Sequence, residues 1–226
     1  MEKLEAPRPP RPENAYSHGW KVIKENFLPL LFLVGVIAFI ESPISYFQRD
    51  SFNFSWNGLE QSLYSAVTNL NAILYSILIV VPLQYGIMFL FLKTVRGEPF
   101  EIKTILSPYN RFLDVIFSHI LMLVIIGLGL LFLIIPGIVF IIRLSFVRYL
   151  VMDKGLDAMG AIKESWKMTD GYGWTIFGMA ILAVFIFIGG VLFFIVGVFV
   201  SIMWINAAFA SLYFAIDAKN KNNSED

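Results

Sequence analysis

The sequence predicts an all-α integral membrane protein. The expected form is a six-helix bundle made of three repeats, each an interfacial amphipathic helix plus a transmembrane hairpin. Three observations carry that prediction. First, hydrophobic residues make up 58% of the 226 residues and charged residues only 15%, against roughly 45–50% and about 25% in soluble domains. A water-soluble chain of this length has too little interior to hide so much apolar surface. Second, the apolar residues fall in uninterrupted runs near the ~20 residues that cross a bilayer. Third, the hairpins are preceded by short segments with apolar residues at helical spacing and charges between them. That is the pattern of a helix lying in the headgroup region.

Taken in order, residues 1–13 read as a Pro/Arg-rich cytoplasmic tail. Pro7, Pro9, Pro10 and Pro12 alternate with Arg8 and Arg11, a composition that favours an extended, unpacked chain. No signal peptide is expected, because the first apolar run starts only at Phe27. The membrane domain is expected over 14–217, with spans at about 27–47, 70–93, 112–134, 138–152, 174–194 and 198–217. Pro136-Gly137 is expected to turn the chain between the third and fourth spans. The run from Trp174 to Asp217 is too long for one span, and Gly189, Gly190 and Gly197 place its turn near the middle. Residues 218–226 form a polar cytoplasmic tail. The loop after the first span carries Phe52, Phe54, Trp56, Leu59 and Leu63, and it is expected to cover the outer leaflet or meet a partner.

The amphipathic segments are 14–26, 100–111 and 156–168. The first and third align as Ala15-…-Trp20-Lys21 and Ala161-…-Trp166-Lys167, which makes Trp20 and Trp166 the expected interfacial anchors. Of the 17 Lys and Arg, 14 fall in the two tails and the second and fourth loops, and only Arg49 falls in an opposite loop. Basic segments resist translocation and are drawn to the anionic inner leaflet. Six spans with both termini cytoplasmic fit that split, whereas five or seven do not.

Composition also excludes chemistry. With no cysteine there is no disulfide, thiolate nucleophile or Cys-ligated metal. His18 and His119 have no metal-ligand partner at helical spacing, and Asp114 and His119 are assigned no acid–base role. The formal net charge is zero, so no nucleic-acid partner is expected, and no cofactor is implied.

The segment Pro136-Gly137-Ile138, Arg143, Phe146, Val151-Met152-Asp153-Lys154-Gly155-Leu156 and Ala161-Ile162-Lys163-Glu164-Ser165-Trp166 resembles a known pattern. It is similar to the membrane domain attached to some bacterial glycerophosphodiester phosphodiesterases and to its stand-alone YciC-like relatives of unknown function. The likeness is best over about residues 130–217. It implies a six-helix protein of a bacterial or archaeal cytoplasmic membrane and no catalytic residues, because the hydrolytic activity of that family belongs to a separate soluble barrel.

Ionisable and polar groups inside spans are costly and raise the question of function first. Glu41, Gln84, Arg143 and Asn206 are the candidate polar intramembrane site. Glu41 and Arg143 are both expected in the outer half of the membrane, at a depth that allows an ion pair. Gln84 follows Pro82 and is expected to bond a carbonyl that the proline frees. Asn206 belongs to a face with Ala207, Ser211 and Ala215, a packing surface inside the bundle or in a dimer. The reading that follows is a non-enzymatic membrane protein that interacts with lipids or serves as an accessory subunit. Its partners would be membrane lipids, a second copy or a membrane complex. The alternative is a small transporter or channel with a polar site near Glu41, Arg143 and Asn206.

Overall fold

The computed structural model describes residues 9–49, 67 and 69–225. The tail up to Arg8 and the apolar loop around Phe52 to Leu63 lie outside the described residues. All regular elements among those described are helical. They are α1 (Pro12–Glu25), α2 (Phe27–Arg49), α3 (Asn69–Val95), a 3₁₀ helix (Ile102–Arg111), α4 (Phe112–Phe132), α5 (Ile134–Arg143), α6 (Val147–Asp153), α7 (Ala158–Met168), α8 (Gly173–Leu192) and α9 (Phe194–Glu225).

Five stretches are long and apolar enough to cross a membrane: Asn69–Val95, Ile102–Phe132, Ile134–Asp153, Gly173–Leu192 and Val196–Asn222. The pair α1 and α2, bent by 100° at Asn26, brings the count to six when it is taken as one span. Phe39, Leu131, Phe132, Phe185 and Leu192 all point outward. An apolar surface of that extent needs an apolar solvent. The chain is thus built as a multi-pass membrane protein.

The core lies where α3, α6 and α9 meet. Tyr85, Leu90 and Leu92 of α3, Tyr149 and Leu150 of α6, and Leu212, Tyr213 and Ile216 of α9 are buried there. Tyr149 stacks on Tyr213 with ring centroids 5.0 Å apart. The three short amphipathic helices brace this core from outside: α1 against α9, the 3₁₀ helix against α3, and α7 against α4 and α6. Each contact is close. A Cβ on Gly19 of α1 would stand 2.9 Å from the Ala208 nitrogen, and one on Gly86 of α3 would stand 2.7 Å from the Ile105 carbonyl carbon. Ser165 of α7 donates its hydroxyl to the Arg143 carbonyl at 2.7 Å. Gly86, Arg143 and Ala207 each stand ten positions before Arg96, Asp153 and Asp217, and those three charged residues converge beyond the core.

Two expectations are corrected. The turn between the third and fourth spans falls at Leu133, which is extended (φ −164°, ψ 151°), not at Pro136-Gly137. Pro136 sits in the first turn of α5, where backbone N–H groups have no intrahelical acceptor and a missing one costs nothing. Gly137 instead lets α5 lie on α4, since a Cβ on Gly129 would come within 3.0 Å of the Gly137 Cα. In the last hairpin the break falls at Phe193, between Gly190 and Gly197, where the turn was expected. Gly190 and Gly197 allow α8 and α9 to approach there, as a Cβ on Gly190 would stand 2.6 Å from the Gly197 carbonyl oxygen. Finally, Gln84 does not cap a carbonyl freed by Pro82. A proline removes the bond to the carbonyl four residues earlier, which is Leu78, and that oxygen accepts the Tyr109 hydroxyl of the 3₁₀ helix at 3.0 Å. The turn before Pro82 is π-helical over Ser76–Val80, with the Val81 N–H bonded to the Ser76 carbonyl.

Candidate functional site

The sequence of α5 places Ile135, Ile138, Val139 and Ile142 at i, i+3, i+4 and i+7, one apolar stripe. Gly137 ties the other side of α5 to α4, so this stripe is left facing the start of α8. Gly173, Trp174 and Phe177 of α8 form the opposite wall. Between them lies an open groove of about 540 Å³, within the size range of small-molecule sites. Its lining is apolar apart from one side chain, Arg143, at its end.

Arg143 is the last residue of α5, and the helix breaks over Leu144–Phe146 before α6 begins. A break strands backbone groups, and α7 repairs this one. The Ser165 hydroxyl donates to the Arg143 carbonyl and accepts from the Phe146 N–H at 3.3 Å. The guanidinium lies over the Trp166 ring, 5.6 Å from its centroid, and Trp166 packs on Phe140 at 5.9 Å. Arg143 Nη1 donates to Asp170 Oδ1 at 3.0 Å. Asp170 lies in the turn that leads into α8, where Gly171 takes φ +76°, a conformation that favours glycine. Arg143 and the exposed Trp174 therefore line the groove, and Asp170 and Trp166 hold Arg143 from beside it.

The structure does not gather the four candidate residues into one site. The expected Glu41–Arg143 ion pair is absent: Glu41 accepts the Gln84 side-chain N–H at 2.7 Å between α2 and α3, while Arg143 pairs with Asp170. Arg143 is held instead by α7 and the turn after it, through the Ser165 hydroxyl on its carbonyl and Asp170 on its guanidinium. Asn206 donates to the Ile202 carbonyl of its own helix at 2.8 Å. A transport path that links Glu41, Arg143 and Asn206 has no geometric support among the described residues. The small face beside Asn206 is covered within the chain by α1, where His18 Nδ1 lies 3.0 Å from the Ser211 hydroxyl. Trp20 packs on Trp204 with centroids 4.9 Å apart, and Lys24 Nζ lies 5.6 Å from the Trp20 ring.

One cluster was not foreseen from sequence. Arg96 forms a two-bonded pair with Asp153, with Nη2 2.7 Å from Oδ2. The Tyr213 hydroxyl donates to the same Oδ2 at 2.8 Å. Lys154 and Lys221 flank the buried Asp217 at 3.0 and 2.9 Å. Burial opposes the Lys154 charge, but contacts with Asp217 and then Glu164 outweigh it and raise its pKa above the ordinary lysine value. The only sequence signal was a charged residue at the end of the second, fourth and sixth spans. The paired charges read as a clasp on the core helices.

Comparison with protein-family models, with curated proteins and with solved structures finds no match for this chain.

Proposed function

We propose that this is a non-enzymatic, multi-pass protein of a bacterial or archaeal cytoplasmic membrane that holds a phospholipid in the groove between α5 and α8. The single observation behind this reading is the groove itself: an open apolar groove about the size of a ligand site, with Arg143 and Trp174 in its lining. Acyl chains suit its walls, and indoles suit the headgroup level. The basic loops support an orientation with both termini cytoplasmic, and Arg143 is tied to the α7–α8 connection on that side. The likeness to membrane domains of glycerophosphodiester phosphodiesterases agrees with a lipid environment and carries no catalytic residue to this chain.

The test is lipid retention. Ile138→Trp places an indole in the groove. Phospholipid counted per chain by native mass spectrometry after mild extraction is expected to fall several-fold, with the melting temperature preserved. Unchanged retention in a folded Ile138→Trp variant refutes the reading.

A further inference from the structure

We infer that the mouth of the groove selects phospholipids whose head carries both a phosphate and an ammonium group, with the phosphate on Arg143 and the ammonium on Asp170. This inference rests on the lipid-holding reading above and adds the class of head that the site takes.

An arginine alone at the mouth would draw any anionic lipid. Here the cation is balanced by a carboxylate at 3.0 Å, and the two groups are held very differently. The Arg143 side chain is 24% exposed. Ser165 fixes its backbone and the Trp166 ring lies under its guanidinium. The Asp170 side chain is 79% exposed. Only its Oδ1 is engaged by Arg143, and Oδ2 has no partner among the described residues. The mouth is thus an oriented pair of charges with an acceptor to spare.

A head that carries phosphate and ammonium matches this pair group for group: the phosphate takes the guanidinium hydrogens that Asp170 leaves, and the ammonium donates to Oδ2. A head with phosphate and no cation sets its charge beside the Asp170 carboxylate, a like-charge contact that disfavours it. The shape of the groove extends the match, because Trp174, Phe177, Ile138 and Val139 receive the chain below the head. Two other cations lie nearby, Lys167 at the end of α7 and Lys219, which sits 5.5 Å from the Tyr172 ring. Both would attract anionic heads without regard to an ammonium group, so the lipid ratio separates the alternatives.

The experiment reconstitutes the full chain in vesicles with equal phosphatidylethanolamine and phosphatidylglycerol. It then extracts the protein gently and counts each retained lipid by native mass spectrometry. The wild type is expected to retain phosphatidylethanolamine over phosphatidylglycerol by about two- to fivefold, the worth of one solvent-exposed charge contact. Asp170→Asn removes that preference, whereas Asp170→Glu keeps it. Retention by the wild type with no preference, or with phosphatidylglycerol preferred, overturns the inference and leaves lipid holding intact. An Asp170→Asn protein that keeps the preference overturns it too. The wild-type ratio stands apart from the folding of any variant. If Ile138→Trp retains as much lipid as the wild type, it is the lipid-holding reading that fails.

Discussion

Replacing Gly86 with alanine tests the way the short helices brace the core. The new Cβ would lie 2.7 Å from the carbonyl carbon and 2.8 Å from the Cα of Ile105, inside the 3.0 Å that real Cβ atoms essentially never breach. The obstacle is backbone, so no side chain can rotate away, and the 3₁₀ helix must shift as a unit. That shift also pulls Tyr109 from the Leu78 carbonyl. Overpacking costs about 1–3 kcal/mol, and a backbone obstacle places this case at the upper end. Alanine in place of glycine inside a helix returns about 1 kcal/mol. The net loss is about 2 kcal/mol, or a fall of about 4–8 °C in melting temperature for a chain of this size. Gly178→Ala on α8 is the control, since nothing lies within 4 Å of its Cβ position. Thermal unfolding in detergent, followed by circular dichroism, measures both. Gly86→Ala melting at or above the wild type would refute the argument, as would equal falls in the two variants.

Three further outcomes follow from the same contacts. Arg96→Met leaves Asp153 without its main partner and is expected to cost about 3–5 kcal/mol; adding Asp153→Asn should recover about 1–3 kcal/mol relative to the sum of the single changes, and strict additivity in chemical unfolding would count against the clasp. Tyr109→Phe should cost about 1–2 kcal/mol by stranding the Leu78 carbonyl. Pro82→Ala restores a backbone donor for that oxygen and should suppress the loss, and a Tyr109→Phe effect that is the same in both backgrounds refutes the assignment. The Lys154 pKa is raised in the folded protein, so its contribution is complete below the unfolded lysine value of 10.5 and is lost only as pH climbs through the higher folded value. The difference in melting temperature between wild type and Lys154→Met should therefore hold constant from about pH 6 to pH 9, and a shrinking difference in that range contradicts the pairing.

The lipid reading gains coherence from how Arg143 is held. An arginine in an apolar helix is tolerated when it reaches a charge, water or a headgroup. Here Ser165 and Trp166 of one short helix set its backbone and its guanidinium, and the turn after that helix supplies Asp170. Losing α7 would therefore remove the support of the site together with a brace of the core.

Composition and apolar run length were enough to predict an all-helical chain with several helices able to cross a membrane, five or six of which the structure has, because the cost of exposing apolar surface accumulates residue by residue wherever the chain goes. Helical periodicity likewise revealed the short amphipathic helices at Trp20 and Trp166, and the cost of an intramembrane charge marked Arg143. Which groups meet was decided only by the tertiary structure. Glu41 found Gln84, Arg143 found Asp170, and the Pro82 gap was filled by Tyr109 rather than by its near neighbour. Those pairings depend on where helices break, at Leu133, Leu144 and Phe193, and on how they rotate about their axes. A change of one residue in either turns a side chain by about 100°, and sequence spacing along straight helices does not carry that information.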